Sequence, residues 1–317
     1  MVTTLDAASS TTRRPYVSTL AINRYMYDLR LLFVAVVWGV NFSVVKYALA
    51  DFHPLSFTVV RFALASVFLL SVLLASGESL AIERRDRFAL VRLGFIGIAV
   101  YNIFFMFGLQ RTTVSHSALF ISLSPLVAVL YQTASGRERI TRRALAGIGL
   151  AFFGVVLIIR SRHGSFGFGR DLLLGDLLTL CGTATWAAYT VMAQPLLEKY
   201  SALKVTAWNM TAGSALLVPF ALPDLLRQSW TSVPARSWFA LSFTAFISAG
   251  IAFSLWYQGV KRIGVTRTMV YHYLMPVAAV LFAALFLHEP LTTRTALGGI
   301  AILAGVALVQ RMRLSSS

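Results

Sequence analysis

Apolar residues in this chain run in long blocks, each ended by a short charged or Pro/Gly-rich interruption. Ten blocks can be delimited, at roughly 31–50, 55–75, 88–108, 113–134, 144–159, 172–194, 204–222, 237–259, 265–287 and 295–310. A helix rises 1.5 Å per residue and the hydrocarbon layer of a bilayer is roughly 30 Å thick, so blocks of this size suit membrane-crossing helices. Apart from 160–171 and 223–236, the interruptions are a few residues long, which makes consecutive helices antiparallel neighbours. The pattern predicts an all-α integral membrane fold of ten transmembrane helices. Residues 1–30, rich in Ser, Thr and Arg, read as a disordered tail; 31–159 and 172–310 as two five-helix units joined by the loop 160–171; and 311–317 as a short C-terminal tail.

The two units repeat each other at an offset of 151 residues. Gly108 matches Gly259, Pro125 matches Pro276, Glu138 matches Glu289, Gly147 matches Gly298 and Gly154 matches Gly305. Nearer the start of each unit the register becomes 148, pairing Trp38 with Trp186. An odd number of helices per unit makes the second copy cross the membrane in the opposite sense to the first. Such inverted-topology repeats are the architecture in which two halves rock about a midplane site.

Composition agrees with the pattern: 57% of the 317 residues are hydrophobic, 13% are charged and the mean hydropathy is +0.74. One soluble core cannot bury that much apolar surface. The net charge of +16 suggests nucleic acid at first sight, but the Lys and Arg residues sit in the short interruptions, so no nucleic-acid partner is expected. With the N-terminus placed inside, 19 of the 28 fall on the inner side, 7 on the outer side and two, Lys46 and Arg61, within blocks. The positive-inside bias therefore puts both termini in the cytoplasm, and the membrane is read as a bacterial inner membrane. The single cysteine, Cys181, lies in an apolar block and reads as a packing residue.

Few residues inside the blocks carry chemistry. Arg61 lies about two turns into the second block, where a cation needs either a substrate carboxylate or backbone carbonyls to satisfy it. Lys46, near the end of the first, reads as snorkelling to the interface. His116 and His272 are not symmetry mates and read as histidines hydrogen-bonded across helices. Glu138 and Glu289 read as helix caps, and Asp176 as a helix-start residue, which leaves no carboxylate for proton coupling. Trp38, Asn41, Trp186 and Tyr189 stand three residues apart on one face in symmetry-related helices. With Arg61, Tyr101, Asn209 and Tyr271 they are the candidates for a substrate cavity of aromatic faces and amides. Pro125 and Pro276 are candidates for kinks or gates. No P-loop and no metal-ligand cluster occurs, so no cofactor is expected.

Several of these residues carry a family resemblance: Trp38-Gly39 with Asn41-Phe42, Lys46-Tyr47-Ala48, Pro54, Arg61-Phe62, Pro125, the Gly-rich fifth and tenth blocks, Glu138 and Glu289-Pro290. Over roughly 30–310 the chain resembles the EamA family of the drug/metabolite transporter superfamily. That resemblance implies a ten-helix protein of two five-helix repeats that exports amino acids, metabolites or drugs, without naming a substrate. The second copy departs from the first, with Asn209 at the position of Arg61 and Gln194 at that of Lys46. The expected function is a secondary transporter, an exporter of small organic metabolites such as amino acids, aromatic or amphiphilic ones included, and not an enzyme. The competing expectation, an enzyme acting on lipid or isoprenoid in the membrane, lacks an acid, histidine or metal constellation.

Overall fold

The computed structural model describes residues 17–134, 142–160 and 170–315. All regular structure there is helical: α1 (Val17–Ala48), α2 (Pro54–Ala75), α3 (Arg84–Arg111), α4 (Val114–Ile121), α5 (Ser124–Ala134) and α6 (Arg142–Arg160) come from the first half. The second half gives α7 (Arg170–Lys199), α8 (Ala202–Arg227), α9 (Ala235–Ile263), α10 (Val265–Met269), α11 (Leu274–Phe286) and α12 (Thr293–Ser315). Among the described residues, six helices are long and apolar enough to cross a membrane: Met26–Ala48 of α1, α2, α3, Asp171–Lys199 of α7, α8 and α9. Shorter apolar helices cover Val114–Ala128 and Leu274–Phe286.

The structure departs from the sequence reading at four places. Residues 17–30, expected in a disordered tail, continue α1, which is tied to the second half where Tyr271 donates to Asp28 at 2.6 Å and Arg30 to Gln258 at 3.2 Å. The fourth block is interrupted after Ile121, and Pro125 sits at the start of α5, where a missing N–H costs nothing. The ninth block is interrupted by a 3-10 turn at Val270–Tyr273, two residues before Pro276 near the start of α11. At the other end of the chain α12 runs to Ser315, into the expected C-terminal tail. The loop carrying Glu138, and most of the loop 160–171, lie outside the described residues.

Helices α6 and α12 pack along one another, as do α2 and α8, while α1 lies against α9 and α11 and α7 against α3, α4 and α5. Small residues set these approaches. A Cβ on Gly154 would stand 2.5 Å from the Gly298 carbonyl oxygen, and one on Gly305 would stand 2.5 Å from that of Gly147. In lipid, where apolar burial adds little between helices, such backbone-to-backbone approach is the main source of packing energy. Both α3 and α9 widen into π-helical turns, at Phe95–Val100 and Phe243–Ala252. The exterior carries Phe152, Leu226, Phe239 and Leu285 exposed, side chains that lipid rather than water would cover.

Candidate functional site

Between α1, α2, α3, α7, α9 and the α11 region lies a cavity of about 30 Å³, the room of roughly one water molecule. Its polar lining comes from Asn41, Arg61, Tyr101, Trp186, Ser248 and His272, and its apolar wall includes Trp38, Phe42, Phe105 and Phe253. Trp38 and Trp186, equivalent under the 148 offset, meet edge to face at its wall with centroids 5.4 Å apart. Phe253 packs on both, at 5.1 and 5.6 Å. The Trp38 indole donates to the Ser248 carbonyl at 3.1 Å, inside the π-helical stretch of α9. Tyr101 follows directly on the π-helical stretch of α3 and packs on Trp186 at 5.2 Å.

Polar atoms around this cavity are left without partners. Arg61 is 3% exposed, and its Nε and Nη1 have no hydrogen bond; the same holds for Asn41 Oδ1, Trp186 Nε1, Ser248 Oγ and His272 Nε2. The nearest compensation for Arg61 is the Phe62 ring, whose centroid lies 4.5 Å from Cζ. Buried polar groups are ordinarily satisfied, and several of the unpartnered ones among the described residues gather at this cavity.

Five of the eight cavity candidates line the space: Trp38, Asn41, Arg61, Tyr101 and Trp186. Tyr189 and Asn209 are buried beside it, the Tyr189 hydroxyl donating to Asn209 Oδ1 at 3.3 Å while Asn209 Nδ2 keeps no partner, with the Tyr189 ring seated where Gly97 has no side chain. Tyr271 is placed elsewhere, its hydroxyl on Asp28. His272, Ser248 and Phe253 were missed. His272 is held by Ser124 Oγ at 2.9 Å on Nδ1 and stacks on Trp256 at 4.5 Å. The sequence signal for it is slight, a histidine adjacent to the candidate Tyr271.

The bundle is tied at both ends by side-chain contacts, most of them across the two halves of the chain. At the end where α1 and α3 finish, Lys46 does not reach for solvent: its ammonium donates to the carbonyls of Leu109 (2.6 Å), Gln110 (3.2 Å) and Thr112 (2.7 Å). Glu289 caps a helix, but one from the other half, accepting from the backbone N–H groups of Val114 (2.8 Å) and Ser115 (3.1 Å). Asp176 is fully buried in the second turn of α7 rather than freely capping its start. It accepts from the Thr112 hydroxyl and lies 3.6 Å from His116 Nδ1. At the opposite end Lys199 and Tyr200 converge on Asp86, at 3.0 and 2.9 Å, and Ser201 donates to Glu78 at 2.8 Å.

The profile of the EamA-like transporter family matches residues 26–160 and 173–311. The chain belongs to this family. Among the relatives of this EamA-like protein is the uncharacterized transporter YyaM of Bacillus subtilis (strain 168), 28% identical over 88% of this chain and 91% of its own. An uncharacterized transporter of Archaeoglobus fulgidus is 29% identical over 87% and 95%. A protein of Streptantibioticus cattleyicolor named a probable terminal-alkyne amino-acid exporter is 25% identical over 90% and 93%. A solved crystal structure has the same fold, with a TM-score of 0.66 at 21% identity, covering 90% of this chain and 98% of that one. The chain is thus an integral membrane transporter rather than an enzyme, which sets aside the lipid-modifying expectation.

Proposed function

We propose that the chain is a secondary transporter that exports small organic metabolites such as amino acids. It alternates access to the central cavity by rocking two inverted five-helix repeats, ten spans in all, with both termini on the cytoplasmic side of a bacterial inner membrane. The observation that carries this reading is the cavity itself: narrow, at about 30 Å³, ringed by unpartnered polar atoms, and walled where the repeat mates Trp38 and Trp186 touch. A site on the axis between two equivalent halves is what alternating access requires.

The inverted arrangement draws support from the helix pairings. Exchanging each helix for its counterpart turns the contact of α1 with α9 into that of α7 with α3, and the contact of α1 with α11 into that of α7 with α5. The reciprocal glycine crossings of α6 and α12 and the paired π-helical turns obey the same exchange. Cross-half contacts at both ends support a state occluded from both sides. The amino-acid class draws on the name of the relative from Streptantibioticus cattleyicolor.

Counterflow in proteoliposomes tests the proposal. Trapped unlabelled amino acids or small metabolites should drive uptake of the labelled solute, and Trp186→Ala should abolish it with reconstitution unchanged. Absence of counterflow across a broad panel of solutes would sink the reading.

A further inference from the structure

The two halves differ at the position where a cationic side chain enters the cavity, Arg61 in the first and Asn209 in the second. Under the 148 offset Asn41 is equivalent to Tyr189, and Arg61 to Asn209. In the second half that pair closes on itself, with the Tyr189 hydroxyl on the Asn209 amide. In the first half the equivalent pair, Asn41 and Arg61, is not hydrogen-bonded, and both side chains keep polar atoms free at the cavity wall. The hydrogen bond that joins the pair in the second half is missing from the first.

We propose that this open pair is a carboxylate site: the Arg61 guanidinium is the counter-ion of the cargo, which is a small organic acid or an amino acid rather than an amine or an uncharged solute. The inference rests on the transport reading above and names the chemical class that the same cavity accepts. A guanidinium at this burial, inside a membrane-crossing helix, needs an anion to offset its lost hydration. Among the described residues no carboxylate forms an ion pair with it, and none lines the cavity. The Phe62 ring at 4.5 Å offsets only part of that loss. A planar carboxylate matches an edge of the guanidinium, whose Nε and Nη1 are both unpaired. Trp186 Nε1 and Ser248 Oγ supply two further unpaired donors around the same space.

The charge is supplied once, because the second half has Asn209 where the first has Arg61, so the site takes one carboxylate. The unpaired Asn41 Oδ1 and the ring faces of Trp38 and Trp186 accept an ammonium group without demanding one. A zwitterion and its deaminated acid therefore both fit. An amide or an amine leaves the guanidinium unmatched.

The test is counterflow in proteoliposomes containing the full chain, with matched series that change only the charged groups: phenylalanine, 3-phenylpropionate, phenylalaninamide and phenylethylamine, and the corresponding leucine set. Exchange of the acids and amino acids should exceed that of the amides and amines by about tenfold or more, the scale of one charged hydrogen bond. Arg61→Gln should lower acid exchange by a similar factor. Arg61→Lys should keep part of it at a higher half-saturation concentration, because an ammonium is not a fork. The wild-type series reads the preference even where a variant fails to fold. Amides or amines carried as fast as the acids, or a monodisperse Arg61→Gln protein exchanging acids at the wild-type rate, would overturn the carboxylate assignment and leave the transport reading standing. No exchange of any member would overturn both.

Discussion

Lys46 offers a direct measurement of what a cation at membrane depth does in this protein. Its side chain was expected to snorkel, in which case its charge is interchangeable with water. The structure instead places the ammonium on three carbonyl oxygens at and just beyond the C-terminus of α3, at 2.6, 3.2 and 2.7 Å. Lys46→Met keeps the aliphatic stem and removes the donors. Hydrogen bonds to a charged group are worth about 1.5–3 kcal/mol, and a cation at a helix C-terminus adds about 0.3–1 kcal/mol. Lys46 is only half-buried, so water takes over part of the role and the loss should fall near ~1–3 kcal/mol. The assay is thermal unfolding of the purified protein in detergent, with Lys46→Arg as the charge-preserving control. Lys46→Met should melt several degrees lower and Lys46→Arg between it and wild type. Coincident melting curves for Lys46→Met and wild type would refute the capping role and return Lys46 to the snorkelling interpretation.

Three further outcomes follow from particular contacts. Gly154→Leu and Gly305→Leu should each sharply reduce yield of folded protein, since the added Cβ meets backbone 2.5 Å away, whereas Gly149→Ala, facing open space, should be neutral; equal yields for all three would show that α6 and α12 separate at little cost. Asp176→Ala leaves the Thr112 hydroxyl and His116 without their carboxylate and should lower stability in a detergent melt by about 1–3 kcal/mol, an effect that a merely exposed helix-start residue would not show. Tyr271→Phe removes a hydroxyl that bonds Asp28 and lies away from the cavity, so it should leave the order of preference among transported solutes unchanged; a reordered preference would place Tyr271 in the site after all.

The parts of this protein that were legible in its sequence are those written in local runs or in the repeat. Blocks of apolar residues marked the helices, and the repeat identity of Trp38 and Trp186 pointed to a shared wall that the two rings do form. Breaks within helices were harder to read, because Ser122-Leu123 and Val270–Tyr273 sit inside unbroken apolar stretches and only the nearby prolines hinted at them. Long-range partners outside the repeat identities were not legible. Ser248 meets Trp38 across 210 residues and His272 meets Ser124 across 148, and neither spacing follows a helical period. Asp176 was misjudged for the same reason: its place near the start of α7 was visible, but the arrival of Thr112 and His116 from elsewhere in the fold was not. Tyr271 and His272 are adjacent in sequence yet serve the tie to Asp28 and the cavity wall respectively, a difference of one helical step that no pattern of apolar residues encodes.

The π-helical turns give different parts of one helix an unequal tolerance for change in length. A wide turn holds one residue more than an α-helical turn over nearly the same rise, so a single deletion within Phe95–Val100 can be absorbed by reverting that turn to α-helix. The face bearing Tyr101 and Phe105 then still meets Trp186 and Phe42. The same deletion a few residues later, in the regular part of α3, has no slack to draw on and rotates everything beyond it by about 100°. The stretch beside the cavity is thus the part of α3 most able to lose a residue while the helix on either side keeps its neighbours.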